Sequence, residues 1–245
     1  MFSPRITAAI THRVLREIFR DARSLLFLLV APGVLIIFVR YLFDTPEQFA
    51  PTGAMMLGTF PMLTLYLVGS TMVIRERLRG TLETVLASPA SRLDLVAGYL
   101  CAAVTVSVVQ AVITVPLGLR LSDIEMAASP WLLFPVIALC GVFGMSLGLA
   151  FSAVCRTEEQ AAQMLPGLMV PQLMICGVPW PVAEMADWLQ SVERYVPLST
   201  VTRSMTATRE HADGGTALIG NGIGMVAISV VALVCVAMVV RRRTA

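Results

Sequence analysis

Long stretches free of charged residues, save for Arg40 near the end of the first, alternate with short charged segments along this chain. The stretches at 24–43, 53–74, 95–119, 131–154, 161–180 and 217–240 predict six apolar helices. Each has the length that a helix needs to cross a hydrocarbon core of about 30 Å. Pro32, Pro61, Pro116, Pro135, Pro166 and Pro171 fall inside them and predict kinks. Such prolines are tolerated in membrane helices because neighbouring groups satisfy the freed carbonyls. The stretch 161–180 carries Pro166, Pro171 and Pro179 and is the one least suited to a straight helix. Ahead of the first stretch, Ile6, Ile10, Val14 and Ile18 recur every fourth residue, with Arg13, Arg16, Glu17 and Arg20 off that stripe. This spacing predicts a basic amphipathic helix over 1–23, lying flat at a membrane surface. A secretory signal also begins with a basic region, but here the apolar run is too long and no small-residue cleavage site closes it, so 1–23 is expected to stay in the mature protein. The fold class is therefore all-α, a polytopic membrane protein.

Composition supports this pattern. Of 245 residues, 57% are hydrophobic and 14% charged, against roughly 25% charged in soluble domains. The basic residues are all Arg, 18 in number, and Lys is absent. A phosphate-binding G-x-x-x-x-G-K-[ST] loop requires its Lys, so the chain has no ATPase site of that type. A net charge of +2 with dispersed Arg does not point to nucleic acid. Cys101, Cys140, Cys155, Cys176 and Cys235 lie in or beside apolar runs without C-x-x-C spacing and read as packing residues. His12 and His211 fall on opposite predicted sides and make no metal site together.

The arginines also orient the chain. With a cytoplasmic N-terminus the inner segments hold Arg5, Arg13, Arg16, Arg20, Arg23, Arg75, Arg77, Arg79, Arg92, Arg156, Arg241, Arg242 and Arg243. The outer side keeps Arg40, Arg120, Arg194, Arg203 and Arg209. That bias predicts both termini in the cytoplasm and an even number of spans. Two connections are large enough to fold by themselves: the inner loop 75–94 and the outer segment 181–216.

In the inner loop Leu78, Leu82, Val85 and Leu86 form an apolar stripe among Arg75, Glu76, Arg77, Arg79 and Glu83, and Ser88-Pro89 ends the helix. Such a helix suits a partner's groove or simply joins two spans at the membrane surface; spacing does not separate the two. In the outer segment, Met185, Trp188, Leu189 and Val192 mark a short amphipathic helix over 183–195, and Ser199 is placed to cap a second one to about His211. Trp180, Trp188 and Tyr195 are at interface depth. Gly144 and Gly148, and Gly220 and Gly224, have the spacing that permits close helix approach. Gln110 and Gln172 are costly to leave in lipid and are expected at a helix interface or a pathway.

The string from Arg75 to Tyr99, RERLRGTLETVLASPASRLDLVAGY, resembles the R-E-R-x-x-G-T-L-E-x-L-L-x-[ST]-P segment of ABC-2 type exporter permeases. Cys176-Gly177-Val178-Pro179-Trp180-Pro181, then Trp188-Leu189-Gln190 and Tyr195-Val196-Pro197-Leu198-Ser199, are similar to the family's re-entrant outer hairpin. The resemblance implies an N-terminal interfacial helix, six spans and a re-entrant extracellular helical hairpin before the last span. It implies that Arg75, Glu76, Arg77, Gly80, Thr81, Leu82, Glu83 and Pro89 form a coupling helix seated in a separate ATPase subunit, two of which bind ATP and Mg beneath the permease. It implies a second copy or a homologue in the membrane, with a pathway lined by spans 2 and 5. Met62, Tyr66, Gln110, Met169 and Gln172 are the candidates for that lining, with helix packing as the alternative for each methionine. Pro179, Trp180, Trp188 and Pro197 are candidates for an outer gate, with a surface loop held by aromatic anchors as the alternative. In the implied mechanism ATP closes the ATPase dimer, the loop and N-terminal helix carry the motion, and the hairpin opens.

Within the predicted spans no acidic residue appears, which argues against a proton- or ion-coupled secondary transporter and against a cation channel. No G-x-S-x-G or H-E-x-x-H motif supports a membrane enzyme. The expected function is export of a hydrophobic or amphiphilic, drug-like or lipid-like substrate across a bacterial cell membrane. The closest subgroup is the daunorubicin-resistance type; export of a polysaccharide or glycolipid is the alternative inside the family, disfavoured by an aromatic content of 7%.

Overall fold

The computed structural model describes residues 3–78, 91–121, 124, 126–155 and 157–242. These residues build an all-α body: α1 (Pro4–Arg20), α2 (Ala22–Arg40), α3 (Pro46–Leu78), α4 (Arg92–Leu121), α5 (Pro130–Val154), α6 (Glu158–Met164), α7 (Val170–Ile175), α8 (Asp187–Glu193), α9 (Pro197–Glu210) and α10 (Gly215–Arg242). A single π-helical turn, Leu165–Met169, joins α6 to α7, and a 3₁₀ turn, Val182–Glu184, precedes α8.

Four of these helices are long and apolar enough to cross a membrane, over Pro46–Glu76, Leu93–Arg120, Pro130–Val154 and Gly215–Val239. Their faces turned away from the body are apolar: Val104, Val108 and Val112 on α4, and Ile219, Ile223, Val230 and Val234 on α10, are all exposed. A soluble surface rarely carries contiguous apolar patches of that kind.

The two remaining predicted spans differ from expectation. The stretch 24–43 is helical as α2 only to Arg40, and a turn at 41–45 follows. The stretch 161–180 is α6, the π turn, α7 and then a bend at Cys176–Trp180. Pro166 and Pro171 remove two backbone donors there, and a π turn is a usual way for a helix to absorb that loss. The turn between α2 and α3 covers 41–45, and 46–52 already belongs to α3. Thr45 Oγ1 accepts from the Gln48 amide at 3.4 Å and α3 starts at Pro46, so a polar turn extends the apolar helix outward.

At the centre α3 packs along α5, with α4 and α10 against α5, and α2 and α9 against α3. The α3–α5 contact is backbone to backbone. A Cβ on Gly144 would lie 2.1 Å from the Met62 carbonyl oxygen, and one on Gly148 would lie 2.2 Å from that of Tyr66. The other glycine pair behaves differently: nothing lies within 4 Å of a Cβ built on Gly220 or Gly224.

The end of the body that holds Glu76 and Asp94 is called the lower end below, and the end that holds Pro46, Pro130 and α9 the upper end. One buried cluster, including Phe49, Leu57, Leu133, Phe143, Val201 and Met205, fills the upper half. Another fills the lower half, and in it Ile10, Val14 and Ile18 of α1 meet Leu95, Tyr99 and Ala102 of α4. The apolar stripe of α1 is thus real, but it is covered by the chain's own helices. It does not lie on a lipid surface, because α4 offers a closer apolar partner, with the Ile10 side chain seated against Gly98.

Candidate coupling site and upper face

At the lower end, three helices meet around one carboxylate. Glu76, in the last turn of α3, is 1% exposed. Its Oε1 accepts from Arg13 Nη2 of α1 at 2.8 Å, and its Oε2 accepts from the Tyr99 hydroxyl of α4 at 2.6 Å. The neighbouring Arg75 pairs with Asp21, Nη1 to Oδ2 at 3.1 Å, at the junction of α1 and α2. A carboxylate at this depth is stable only when charged and hydroxyl donors satisfy it, and two do so here.

A second carboxylate anchors the start of α4. Asp94 Oδ2 accepts from the Ser91 amide at 2.9 Å and the Ser91 hydroxyl at 2.7 Å, while the Asp94 amide donates to Ser91 Oγ at 3.2 Å. This reciprocal pair is a capping box at the N-terminus of α4. Asp94 Oδ1 is left free to accept from the Ser3 amide at 2.7 Å and from Thr7 Oγ1 at 3.3 Å, both on the N-terminal side of α1. The last turn of α3 and the first turn of α4 are therefore both bonded to α1 or its N-terminal cap residue.

Among the residues implied as coupling contacts, Arg75 and Glu76 sit in this arrangement, and Glu76 faces inward to α1 and α4. Arg77 continues α3. Gly80, Thr81, Leu82, Glu83 and Pro89 lie outside the described residues. Arg13, Asp21, Asp94 and Tyr99 were not singled out from the sequence. The Ser91-x-x-Asp94 spacing ahead of an apolar run was the one local signal available. The pairing of Arg13 with Glu76 links positions 63 residues apart and leaves no local mark.

The candidate pathway residues sit at several helix contacts. Met62 and Tyr66 are fully buried where α3 meets α5, with the Tyr66 ring edge-on to Phe151 at 5.8 Å between centroids. Gln110, 1% exposed, donates through Nε2 to the Leu28 carbonyl at 3.1 Å and to Thr64 Oγ1 at 2.6 Å, tying α4 to α2 and α3. Met169 is buried at the end of the π turn. Gln172 is half-buried; its Nε2 donates to the Leu168 carbonyl at 3.0 Å and its Oε1 accepts from the Leu198 amide at 3.4 Å. Met62, Tyr66, Gln110 and Met169 are buried within the chain, and Gln172 is half-buried and bonded to the first turn of α9.

At the upper end the chain reverses after α7. Gly177 has φ +91°, a left-handed conformation that L side chains avoid. The carbonyl of Cys176 just before it accepts from Thr202 Oγ1 of α9 at 2.8 Å. Pro179 and Trp180 follow on the surface, and Trp188 on α8 is 69% exposed. Pro197 occupies the first turn of α9, so Val196 holds the cap position and Ser199 is buried inside the helix. Arg203 pairs with the buried Glu193, Nε to Oε1 at 3.2 Å, and also donates to the Arg194 carbonyl at 3.2 Å. A cavity of about 820 Å³ opens between this turn, α9 and the start of α10, with Glu193, Thr202, Arg203, Glu210, His211 and Asn221 in its wall. Among the described residues no three His, Cys, Asp or Glu side chains gather as a metal site.

The ABC-2 type transporter family matches residues 6–208. The chain is 29% identical over 147 residues to the "Probable multidrug ABC transporter permease YbhR" of Escherichia coli, covering 60% of this chain and 40% of that protein. It is 24% identical over 138 residues to "ABC transporter G family member 20" of Dictyostelium discoideum, covering 56% of this chain and 19% of that one. The matched stretch thus spans less than half the length of either relative.

Proposed function

The chain belongs to the ABC-2 type transporter family, and on that premise we propose that it is the membrane permease subunit of an ATP-binding cassette exporter. Its cargo is a hydrophobic or amphiphilic molecule, drug-like or lipid-like, moved out of the cell. Two copies of a separate ATPase subunit bind and hydrolyse Mg-ATP, and a second copy or a homologue of this chain completes the pathway. The name of the Escherichia coli relative, a multidrug permease, supports the drug-like class.

In this reading α2 and the broken α6–α7 unit add two crossings to the four long helices, with both termini and the lower end in the cytoplasm. Met169, the last residue of the π turn, and Gln172, in the α7 turn that follows, are the pathway residues carried by the broken helix. Met62, Tyr66 and Gln110 act by holding α3 against its neighbours. The turn at Gly177 through Pro197, with Trp180 and Trp188, works as the outer gate.

One observation carries the proposal: the last turn of α3 and the first turn of α4, on either side of the segment 79–90, are both bonded to α1 or its N-terminal cap residue, through Glu76–Arg13 and Asp94–Ser3. A push on that segment by an ATPase subunit reaches α1, α3 and α4 together, and not one helix alone. The test is to reconstitute the chain with its ATPase in vesicles and to screen compounds for stimulated ATP hydrolysis and for transport. Transport is expected to stop when the ATPase is withheld, and Gly80→Pro or Glu83→Ala is expected to leave hydrolysis running without transport. ATP hydrolysis by the isolated chain, or transport without the ATPase, sinks the proposal.

A further inference from the structure

The cavity at the upper end has a deep part and a rim of different character. Glu193 and Thr202 are buried in its wall, while Glu210 and His211 are exposed where it opens. The Ala128 amide donates to the Thr208 carbonyl at 2.9 Å and holds the last turn of α9 to the start of α5, so Glu210 lies uppermost. Arg203 is seven residues earlier on the same helix, about 10 Å further in. At about 820 Å³ the cavity has the size of pockets that enclose a drug-sized molecule. Met55, Val182 and Ala217 give it an apolar side.

Its polar groups are unevenly satisfied. Arg203 is the one fixed cation among the described residues of the wall, and it is turned to protein oxygens. Its Nη2 donates to the Arg194 carbonyl at 3.2 Å and to the Glu193 carbonyl at 3.4 Å. Glu193 is the reverse case. Its side chain is 7% exposed, yet among the described residues no hydrogen bond reaches its carboxylate. Arg203 Nε lies 3.2 Å from Oε1, but that nitrogen is itself buried without a hydrogen-bond partner, so charge alone joins the two. A carboxylate at this depth ordinarily takes directed donors. Glu210, on the same cavity, makes no ion pair among the described residues. The unused capacity is therefore for accepting hydrogen bonds and for positive charge. An anionic head would meet two carboxylates and an arginine already engaged.

We propose that this cavity binds the ammonium group of an amphiphile, with Glu193 as the deep acceptor, Glu210 as the acceptor at the rim and the apolar side holding the body of the molecule. The ammonium belongs to a free amine or to an aminophospholipid. That the bound amine is also cargo rests on the exporter reading; the binding itself does not.

The test uses the purified full chain, without any ATPase, in phosphatidylcholine nanodiscs. The probe is monodansylcadaverine, an apolar ring system with a primary ammonium, set against its neutral N-acetyl derivative, and binding is read from dansyl fluorescence. The wild-type chain is expected to bind the amine at least about tenfold more tightly than the acetylated form. Glu193→Gln is expected to weaken the amine by about tenfold to a hundredfold and to leave the acetylated form unchanged. Glu210→Gln, at an exposed position, is expected to weaken it by less than about fivefold. Arg203→Gln removes the cation that competes for Glu193 and is expected to tighten amine binding, an effect that a merely structural role would not produce. If the variants at 193 or 203 do not fold, Glu210→Gln alone must still lower the preference for the amine. Loss of probe binding when phosphatidylethanolamine replaces half of the phosphatidylcholine assigns the same ammonium site to a lipid headgroup; unchanged binding assigns it to a free amine. Equal binding of the two probes by the wild type, an unchanged preference in Glu210→Gln and Glu193→Gln, or weaker amine binding in a folded Arg203→Gln chain overturns the assignment and leaves the exporter reading untouched.

Discussion

Arg13 of α1 and Glu76 of α3 meet at 2.8 Å across the lower end of the body, and the Tyr99 hydroxyl closes on the other carboxylate oxygen at 2.6 Å. The carboxylate is almost fully buried, whereas the Arg13 side chain is 30% exposed. The pair is therefore held mainly by what Glu76 would lose. Glu76→Ala strands a buried hydroxyl and a half-buried guanidinium, and is expected to destabilise the chain by about 2–4 kcal/mol. Arg13→Ala is expected to cost at least as much, about 3–5 kcal/mol, because it leaves the buried carboxylate without the Arg13 cation. A double-mutant cycle on thermal melting in vesicles checks this: additive effects would mean that the two side chains do not interact. Tyr99→Phe removes one hydrogen bond and is expected to cost about 1 kcal/mol.

The glycines of α5 make a sharper claim. A methyl group at position 144 or 148 has no room before the α3 carbonyls, which belong to backbone and cannot swing away. Gly144→Ala and Gly148→Ala are each expected to cost about 1–3 kcal/mol by forcing two packed helices apart. Gly220→Ala and Gly224→Ala meet nothing within 4 Å and should stay within about 0.5 kcal/mol of the parent. Melting temperatures of the four variants, measured side by side in the same detergent, separate the two pairs. Equal behaviour would show that the α3–α5 contact is looser than described.

How much of this was legible beforehand depends on the range of each interaction. The stripe Ile10, Val14, Ile18 announced a buried face, but periodicity identifies a face without naming its cover, and the cover proved to be α4. Pro166 and Pro171 marked the break in the fifth apolar stretch, though not its π geometry. The α9 cap was misplaced onto Ser199 because a hydroxyl near a helix start looks like a cap. Pro197 prefers the first helical turn, which moved the cap to Val196. The family resemblance named Glu76 as a coupling contact, and nothing local could show that it turns inward to Arg13. Met62 and Tyr66 were read as pathway candidates from their helix alone, and the glycines of α5 brought that side of α3 into contact with another backbone.

Gln110 tests how much a polar group inside the body contributes. Its amide ties α4 to the Leu28 carbonyl and to Thr64, while its Oε1 has no hydrogen-bond partner. Replacement by Leu loses two donated bonds but also removes that orphaned acceptor. Polar side chains between membrane helices average about 0.6 kcal/mol in such comparisons, so Gln110→Leu is expected to shift melting only slightly. A loss above about 2 kcal/mol would instead mark the glutamine as essential to the α2–α3–α4 junction.

Gly177 is where the upper turn commits to its direction. At φ +91° an alanine pays the left-handed penalty of roughly 1–2 kcal/mol. Its Cβ would also sit 3.0 Å from Val182 Cγ2, which a small rotation of that side chain relieves. The strain is local and its cheapest release is to break the adjacent Cys176 carbonyl–Thr202 bond, freeing the turn from α9. Gly177→Ala should therefore lower stability by about 1–2 kcal/mol and loosen the Trp180–Trp188 region while the helices remain packed. Thr202→Val, which removes the same bond from the other side, should reproduce the loosening without backbone strain. If the turn gates transport, both variants change the transport rate in vesicles while compound-stimulated ATP hydrolysis persists. Fluorescence quenching of Trp180 and Trp188 checks the structural half of this prediction, and unchanged quenching in both variants would rule out the proposed link between this turn and α9.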